Sequence, residues 1–330
     1  MPVANKPILF YGIEAIRDSG ITDIGIVVGD TREEIKAAVG DGSAFGVRVT
    51  YIHQQDPLGL AHAVMVSEPF LKDDSFVMFL GDNLIKDGIT GLVEEFRREK
   101  PNSQILLAEV KNPEEFGVAE LAGDKIVRLE EKPKQPRSNL ALVGVYMFDK
   151  HVFEAVHAIK PSRRGELEIT DAIQYLIDKK YDVRSHVITG WWKDTGKLED
   201  MLEANRIILS GLRHKIEGDV SADTRVEGEV VIGTGTTVVG STLRGPIVIG
   251  RNCVIKSAFV GPFTSIADEC RVIDSEVEHS IILEGSSITG LRRRLESSLI
   301  GRNVTVTRQP DRLPQAYRLM VGDSSQIEVF

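Results

Sequence analysis

The chain has 330 residues, enough for about two domains that each bury a core of their own. Its 42% hydrophobic and 27% charged residues are ordinary for a soluble globular protein. A net charge of −9 excludes a general nucleic-acid binder, which needs a basic surface to neutralise phosphates, but leaves room for a locally basic nucleotide pocket.

In chain order, residues 23–29 (DIGIVVG) read as a buried strand, and Thr31 as the hydroxyl cap of the helix REEIKAAVG. Residues 47–52 follow as a strand, 58–67 as a helix, and 76–80 (FVMFL) as a strand buried on both faces. Residues 87–100 form an amphipathic helix and 104–110 another strand. This βαβ alternation predicts a Rossmann-like α/β domain over residues 1–212, with a mostly parallel sheet covered by helices.

From residue 213 to 330 the period changes. Branched apolar residues recur six apart at Val220, Val226, Ile232 and Val238, and the series resumes at Ile249, Val260, Ile282 and Ile300. A small residue usually follows four positions later, as at Thr236, Cys253, Thr264, Cys270 and Ser286. A six-residue period of this form is the signature of a parallel β-helix, with both kinds of residue pointing inward. The two cysteines, Cys253 and Cys270, are then buried small hydrophobes rather than a disulfide, a metal site or reactive thiols. Gly245-Pro246, Arg292 to Arg294 and Gln309-Pro310 sit where the register resets and read as loops. No apolar run approaches membrane-spanning length and no secretory leader is evident, so no membrane partner is expected and the cytoplasm is the expected compartment.

The chemistry-bearing residues cluster in the first domain. Asp82 follows the strand FVMFL, beyond the carboxyl end of which ligands of open sheets bind, and could hold Mg²⁺ through a hard carboxylate oxygen. Asp194, in WWKDTG, is a second such carboxylate, or equally a turn residue. Glu131 and Lys132 precede Pro133 and suit sugar hydroxyls and a sugar phosphate; an exposed charged turn reads the same way. Gln54 offers a donor and an acceptor to a pyrimidine edge, and Gly59 permits close backbone approach at a helix start. His53 and His62 read as packing or surface residues, and His279 as a loop residue of the β-helix.

The ordered set YIHQQDPLGLAHA, FLGDN, PEEFGVAE, LEEKP, SNLALVGVY, RRGELEITD and WWKDTG resembles the glucose-1-phosphate thymidylyltransferases, and the β-helical tail with its closing VGDSSQIEV resembles their long form. The resemblance runs from residue 2 to about 205 and continues into the tail. It implies a left-handed β-helix and Mg²⁺-dependent transfer of a thymidylyl group from dTTP to glucose 1-phosphate. It further implies that Gln54 and Gly59 read the base, and that Asp82 and Asp194 bind Mg²⁺. Glu131 and Lys132 would then hold the sugar and its phosphate, and Gly144 would let the backbone reach the sugar. Arg164 and Glu166 would line the sugar-phosphate side, and Gly117 the sugar site, beside Phe116 where the family has tyrosine. A homo-oligomer is expected.

The sequence departs from that pattern at its start, where the family's GGxGTRLxPLT strand and loop would stand before Met1. The expectation is a longer gene product, because loss of the first strand would leave a slot in the sheet and loss of the loop would remove a phosphate cradle. The alternatives are a catalytically silent sugar-nucleotide-binding or assembly paralogue, or uridylyl specificity.

Overall fold

The computed structural model describes residues 1–308 and 326–327. Gln309-Pro310 lies outside the described residues, as does residue 321–329 except at 326–327. The chain divides into two compact units, Met1–Ala204 and Asn205–Phe330. The division falls inside a helix rather than after residue 212, where the change of period placed it. The last turn of that helix belongs with the second unit, where Asn205 Nδ2 donates to the Phe263 carbonyl at 3.0 Å.

In the first unit β1 (Pro2–Val3) and β2 (Lys6–Pro7) form a hairpin before helix α1 (Ile8–Asp18). Then come β3 (Asp23–Val28), α2 (Arg32–Val39), β4 (Arg48–His53), α3 (Leu60–Leu71), β5 (Phe76–Phe79) and β6 (Asn83–Ile85). Next are α4 (Thr90–Glu99), β7 (Ser103–Glu109), β8 (Gly117–Ala122), β9 (Lys125–Glu131) and β10 (Leu140–Phe148). The unit closes with α5 (His151–Ala158), α6 (Ile169–Asp178), β11 (Val183–Val187), β12 (Trp192–Asp194) and the shared helix α7 (Leu198–Leu209).

The main sheet is less parallel than the alternation of strands and helices suggested. Its spine is β10, which runs antiparallel to β5, β7 and β8, while β11 joins β7 in parallel. The reason is local: β8 and β9 are joined by a tight turn, and strands so joined must run antiparallel. Val145, Met147 and Phe148 on this spine and Leu106 on the neighbouring β7 are wholly buried, each contributing about 1.5–3 kcal/mol by leaving water.

A second, parallel sheet consists of β3 and β4 alone, in register from Asp23 opposite Arg48 to Val28 opposite His53. Among the described residues neither β3 nor β5 has a partner on its remaining edge, and a cavity of about 720 Å³ lies between them, lined among others by Ile13, Ile24, Ile26, Phe70, Met78 and Leu80. This corrects the reading of FVMFL as fully buried, since Phe76 to Leu80 are all half-buried beside the cavity. Thr31 does occupy the N-terminal cap position of α2, but its hydroxyl makes no capping bond.

The second unit is a parallel β-solenoid of three sheets holding six, six and five strands. The six-residue period is one side of a three-sided coil. Ile232, Ile249, Ile266, Ile282 and Ile300 therefore stack in register along one sheet, and Val238, Ile255, Val272, Ile288 and Val306 along another. At one corner Thr236, Cys253, Cys270 and Ser286 form an inward ladder. Thr236 Oγ1 donates to the Gly250 carbonyl at 2.7 Å, and Ser286 Oγ to that of Gly301 at 2.7 Å. The thiols take the same part, donating to Ala267 and Leu283 carbonyls at 3.1 and 3.2 Å. Burial pushes the Cys253 thiol up to about 11, so it is not a nucleophile near neutral pH. Gly245-Pro246 and Arg292 to Arg294 lie at bends between strands. Arg294 is not a free anion site: it pairs with Glu276 at 3.0 Å and with Glu278, and lies over the Phe259 ring.

Candidate active site

The short antiparallel pair β6–β12 sets Asn83 opposite Asp194 and so brings the two aspartates of the sequence reading side by side. Thr195 fastens the arrangement, giving its N–H and its hydroxyl to the Asp82 carbonyl at 3.0 and 2.7 Å. Asp82 accepts from Asn83 Nδ2 at 2.8 Å, and Asp194 from the Gly196 N–H at 2.9 Å. Burial first, and the Asp82 charge next, push the Asp194 carboxyl above its ordinary value.

Two neighbouring carboxylates, one raising the other's proton affinity, fit a divalent cation. Among the described residues no group of three or more His, Cys, Asp or Glu is placed to hold a metal ion, so the protein would supply a pair of carboxylates at most here.

Asn83 was not singled out by sequence, yet it organises this corner. It is 2% exposed, accepts from Trp192 Nε1 at 2.6 Å and from the Gly144 N–H at 3.1 Å, and holds Asp82 with its amide nitrogen. A Cβ on Gly144 would lie 2.6 Å from Asn83 Nδ2. The glycine thus makes room for Asn83, and its N–H is spent inside the protein. The resemblance had given that backbone to the sugar.

Beside this corner, β8 and β9 pair Gly117 with Glu131. The Glu131 carboxylate accepts from Thr170 Oγ1 at 3.3 Å and lies 3.6 Å from Arg164. Burial, then the neighbouring Glu168, push its pKa up. Lys132, next along, has the left-handed φ of 41°, a costly state for a side-chain-bearing residue. It makes no ion pair among the described residues, which leaves its ammonium available. Arg164 differs: it touches Glu131, Glu166 at 2.9 Å and Glu168 at 3.5 Å, so its charge is already spent on ordering carboxylates. Glu168, not singled out by sequence, is 5% exposed and also accepts from Ser162 Oγ at 2.7 Å. Phe116 packs edge-on against Trp192 with centroids 5.3 Å apart.

The base-reading candidates join the same crevice through backbone. Leu167 N–H donates to the Leu58 carbonyl at 2.7 Å, and Ala61 N–H to that of Leu167 at 3.0 Å, stitching the loop of Arg164 and Glu166 to that of Gly59. Gly59 has φ of 105°, and a Cβ there would meet the Leu167 carbonyl at 2.5 Å, so only glycine fits. Gln54 Nε2 donates to the Gly59 carbonyl at 3.3 Å and to His62 Nδ1 at 2.9 Å.

A family model described as nucleotidyl transferase matches residues 1–211. The chain is 55% identical to a glucose-1-phosphate thymidylyltransferase of Streptomyces antibioticus over 329 residues, 99% of this chain and 92% of that one. It is 53% identical to the Streptomyces griseus enzyme of the same name over 330 residues, again 92% of the relative. A solved structure provisionally named as a Bacillus anthracis glucose-1-phosphate thymidylyltransferase, in complex with a sucrose, superposes with a TM-score of 0.59 at 37% identity, covering 63% of this chain and 84% of that one.

Proposed function

We propose, on the premise that the chain belongs to the nucleotidyl transferase family, that its α/β unit transfers a thymidylyl group from dTTP to glucose 1-phosphate. A phosphate oxygen of the sugar phosphate attacks the α-phosphorus. The bond from that phosphorus to the β-phosphate oxygen breaks, and pyrophosphate leaves. No group of the protein becomes covalently attached, so the residues work by position and charge.

Gln54 and the Gly59 backbone take the base edge, Glu131 accepts from sugar hydroxyls, and Lys132 sets its ammonium on the sugar phosphate. Arg164 and Glu166 act by ordering one another and Glu131, with Gly117 leaving room beside that carboxylate. Asp82 and Asp194 would hold Mg²⁺, which when bound neutralises charge on the triphosphate. The observation that carries this reading is the proximity of Asp82, Asp194 and the adjacent Glu131 and Lys132 at the ends of three different strands. Their mutual influence is felt at Asp194, whose proton affinity Asp82 raises and Lys132 lowers.

The test is pyrophosphate release by the 330-residue chain given dTTP, glucose 1-phosphate and Mg²⁺. Turnover that needs all three is expected. Nucleotide binding without turnover would favour a silent paralogue instead, and turnover of UTP above dTTP a uridylyltransferase.

A further inference from the structure

We infer that His62 is a positioning residue for base choice: by accepting a hydrogen bond from Gln54 it makes that glutamine an acceptor-only reader, selective for pyrimidines that carry an N3–H. The inference rests on Gln54 being the base reader proposed above.

The argument begins with the amide orientation. The atom of Gln54 that lies 3.3 Å from the Gly59 carbonyl oxygen must be a donor, because a carbonyl oxygen can only accept. That fixes Nε2 toward the loop. The same Nε2 lies 2.9 Å from His62 Nδ1. With one amide hydrogen on Gly59, the other meets His62, and Nδ1 must be bare to receive it. His62 is therefore neutral with its proton on Nε2.

Both amide hydrogens of Gln54 are then used within the protein. Its Oε1 accepts from no protein group among the described residues, so it is the atom left for a ligand. The Gly59 N–H likewise has no protein acceptor among the described residues. The loop thus offers one acceptor and one donor. N3–H and a ring carbonyl of thymine or uracil match that pair; cytosine, whose N3 is itself an acceptor, sets two lone pairs against each other.

His62 and Gln54 are held for this task by different elements. Gln54 is anchored at the end of β4, where its N–H donates to the Val28 carbonyl at 2.9 Å. His62 lies in the first turn of α3, whose start is fixed by the Ala61 N–H bond to Leu167. The helix therefore presents Nδ1 at a set place, and the amide must answer it.

Two measurements on the full chain decide the matter. The ¹⁵N spectrum of histidine-labelled wild-type protein should give His62 a bare Nδ1 and a protonated Nε2 at neutral pH; the opposite tautomer overturns the inference. This readout does not depend on what the protein binds. Equilibrium titration with dTTP, dUTP and dCTP should then give wild-type preference for the first two over dCTP. His62→Phe, which keeps the ring but removes the acceptor, should shrink the dTTP-to-dCTP ratio about tenfold. His62→Asn, whose amide oxygen can stand where Nδ1 stood, should restore it. An unchanged ratio in His62→Phe overturns the inference while leaving the thymidylyl reading intact. If the Phe variant does not fold, N3-methyl-dTTP on the wild type asks the same question, since affinity equal to that of dTTP also overturns it. Wild-type protein that takes up none of the three nucleotides sinks the thymidylyl reading itself.

Discussion

The two units differ in how completely their strands are paired. In the solenoid every strand but the first and last of each sheet has a neighbour on both sides. In the α/β unit pairing stops at β3 and at β5, and the residues with chemistry to offer stand where regular structure ends. Asp82 follows β5, Lys132 follows β9 in a left-handed turn, and Asp194 closes β12. A repeating coil pairs its backbone in the same way at every turn, although Thr264 Oγ1, Ser265 Oγ and His279 Nε2 stay buried without a partner among the described residues. An interrupted sheet instead brings strand ends and loops together, and their side chains are what a substrate can engage.

The severest test of this division is Asp82→Asn, which keeps the shape of the corner and removes a charge. We expect pyrophosphate release to fall by at least about 10²-fold, as when a major electrostatic group leaves an active site, with the unfolding of the solenoid unchanged. A rate within about threefold of wild type would detach the aspartate pair from the chemistry.

Next in size is a pair of core truncations. Ile255 is wholly buried in the stacked coil, so Ile255→Ala should cost about 2–5 kcal/mol in urea unfolding. Met78 faces the cavity beside β5 and already lacks neighbours on one side, so Met78→Ala should cost less than about 2 kcal/mol. Equal costs would mean that the gap between β3 and β5 is closed in solution.

A smaller effect concerns pH. Glu131 must be ionised to accept hydrogen bonds from sugar hydroxyls, yet burial, and Glu168 after it, raise its pKa. Activity should therefore fall, as pH drops, at a higher pH than a carboxylate in water would set. The stability sign is opposite: a raised carboxyl favours the folded state below its unfolded pKa, and that advantage is lost as pH rises through the folded value. Glu131→Gln should lower activity and remove that acid limb from the profile of kcat/KM against pH. A limb that persists unchanged assigns it elsewhere.

These expectations also mark what the sequence could and could not reveal. The solenoid was legible because one rule repeats: the residue type at Ile232 predicts that at Ile249 and Ile266. The crevice was legible as residue types at the ends of strand-like runs, and Gln54, Asp82, Lys132 and Asp194 were all named from it. Partners were not. Asn83 meets Gly144 across 61 positions and Trp192 across 109, and no local pattern encodes such meetings. The half-exposure of FVMFL was not legible in the run itself, which looks the same whether its neighbours are present or not, and only the slot expected in the sheet pointed to it. The contact of His62 with Gln54 was hidden for the same reason, since it joins two elements.

The smallest predicted effect bears on the solenoid's surface. Arg294 pairs with Glu276 and Glu278 and covers Phe259, a contact set that looks substantial by count. All of these groups stand partly in water, where attraction is screened and a long side chain loses freedom by being held. Arg294→Ala should therefore cost no more than about 1 kcal/mol, and less as salt is raised. It should leave nucleotide transfer untouched. A larger loss that persists in high salt would show that the stem of Arg294 packs against Phe259 as apolar cover, since packing, unlike charge, is not screened. That outcome would place part of the solenoid's stability on its outer face and narrow the contrast between a sealed coil and an open sheet.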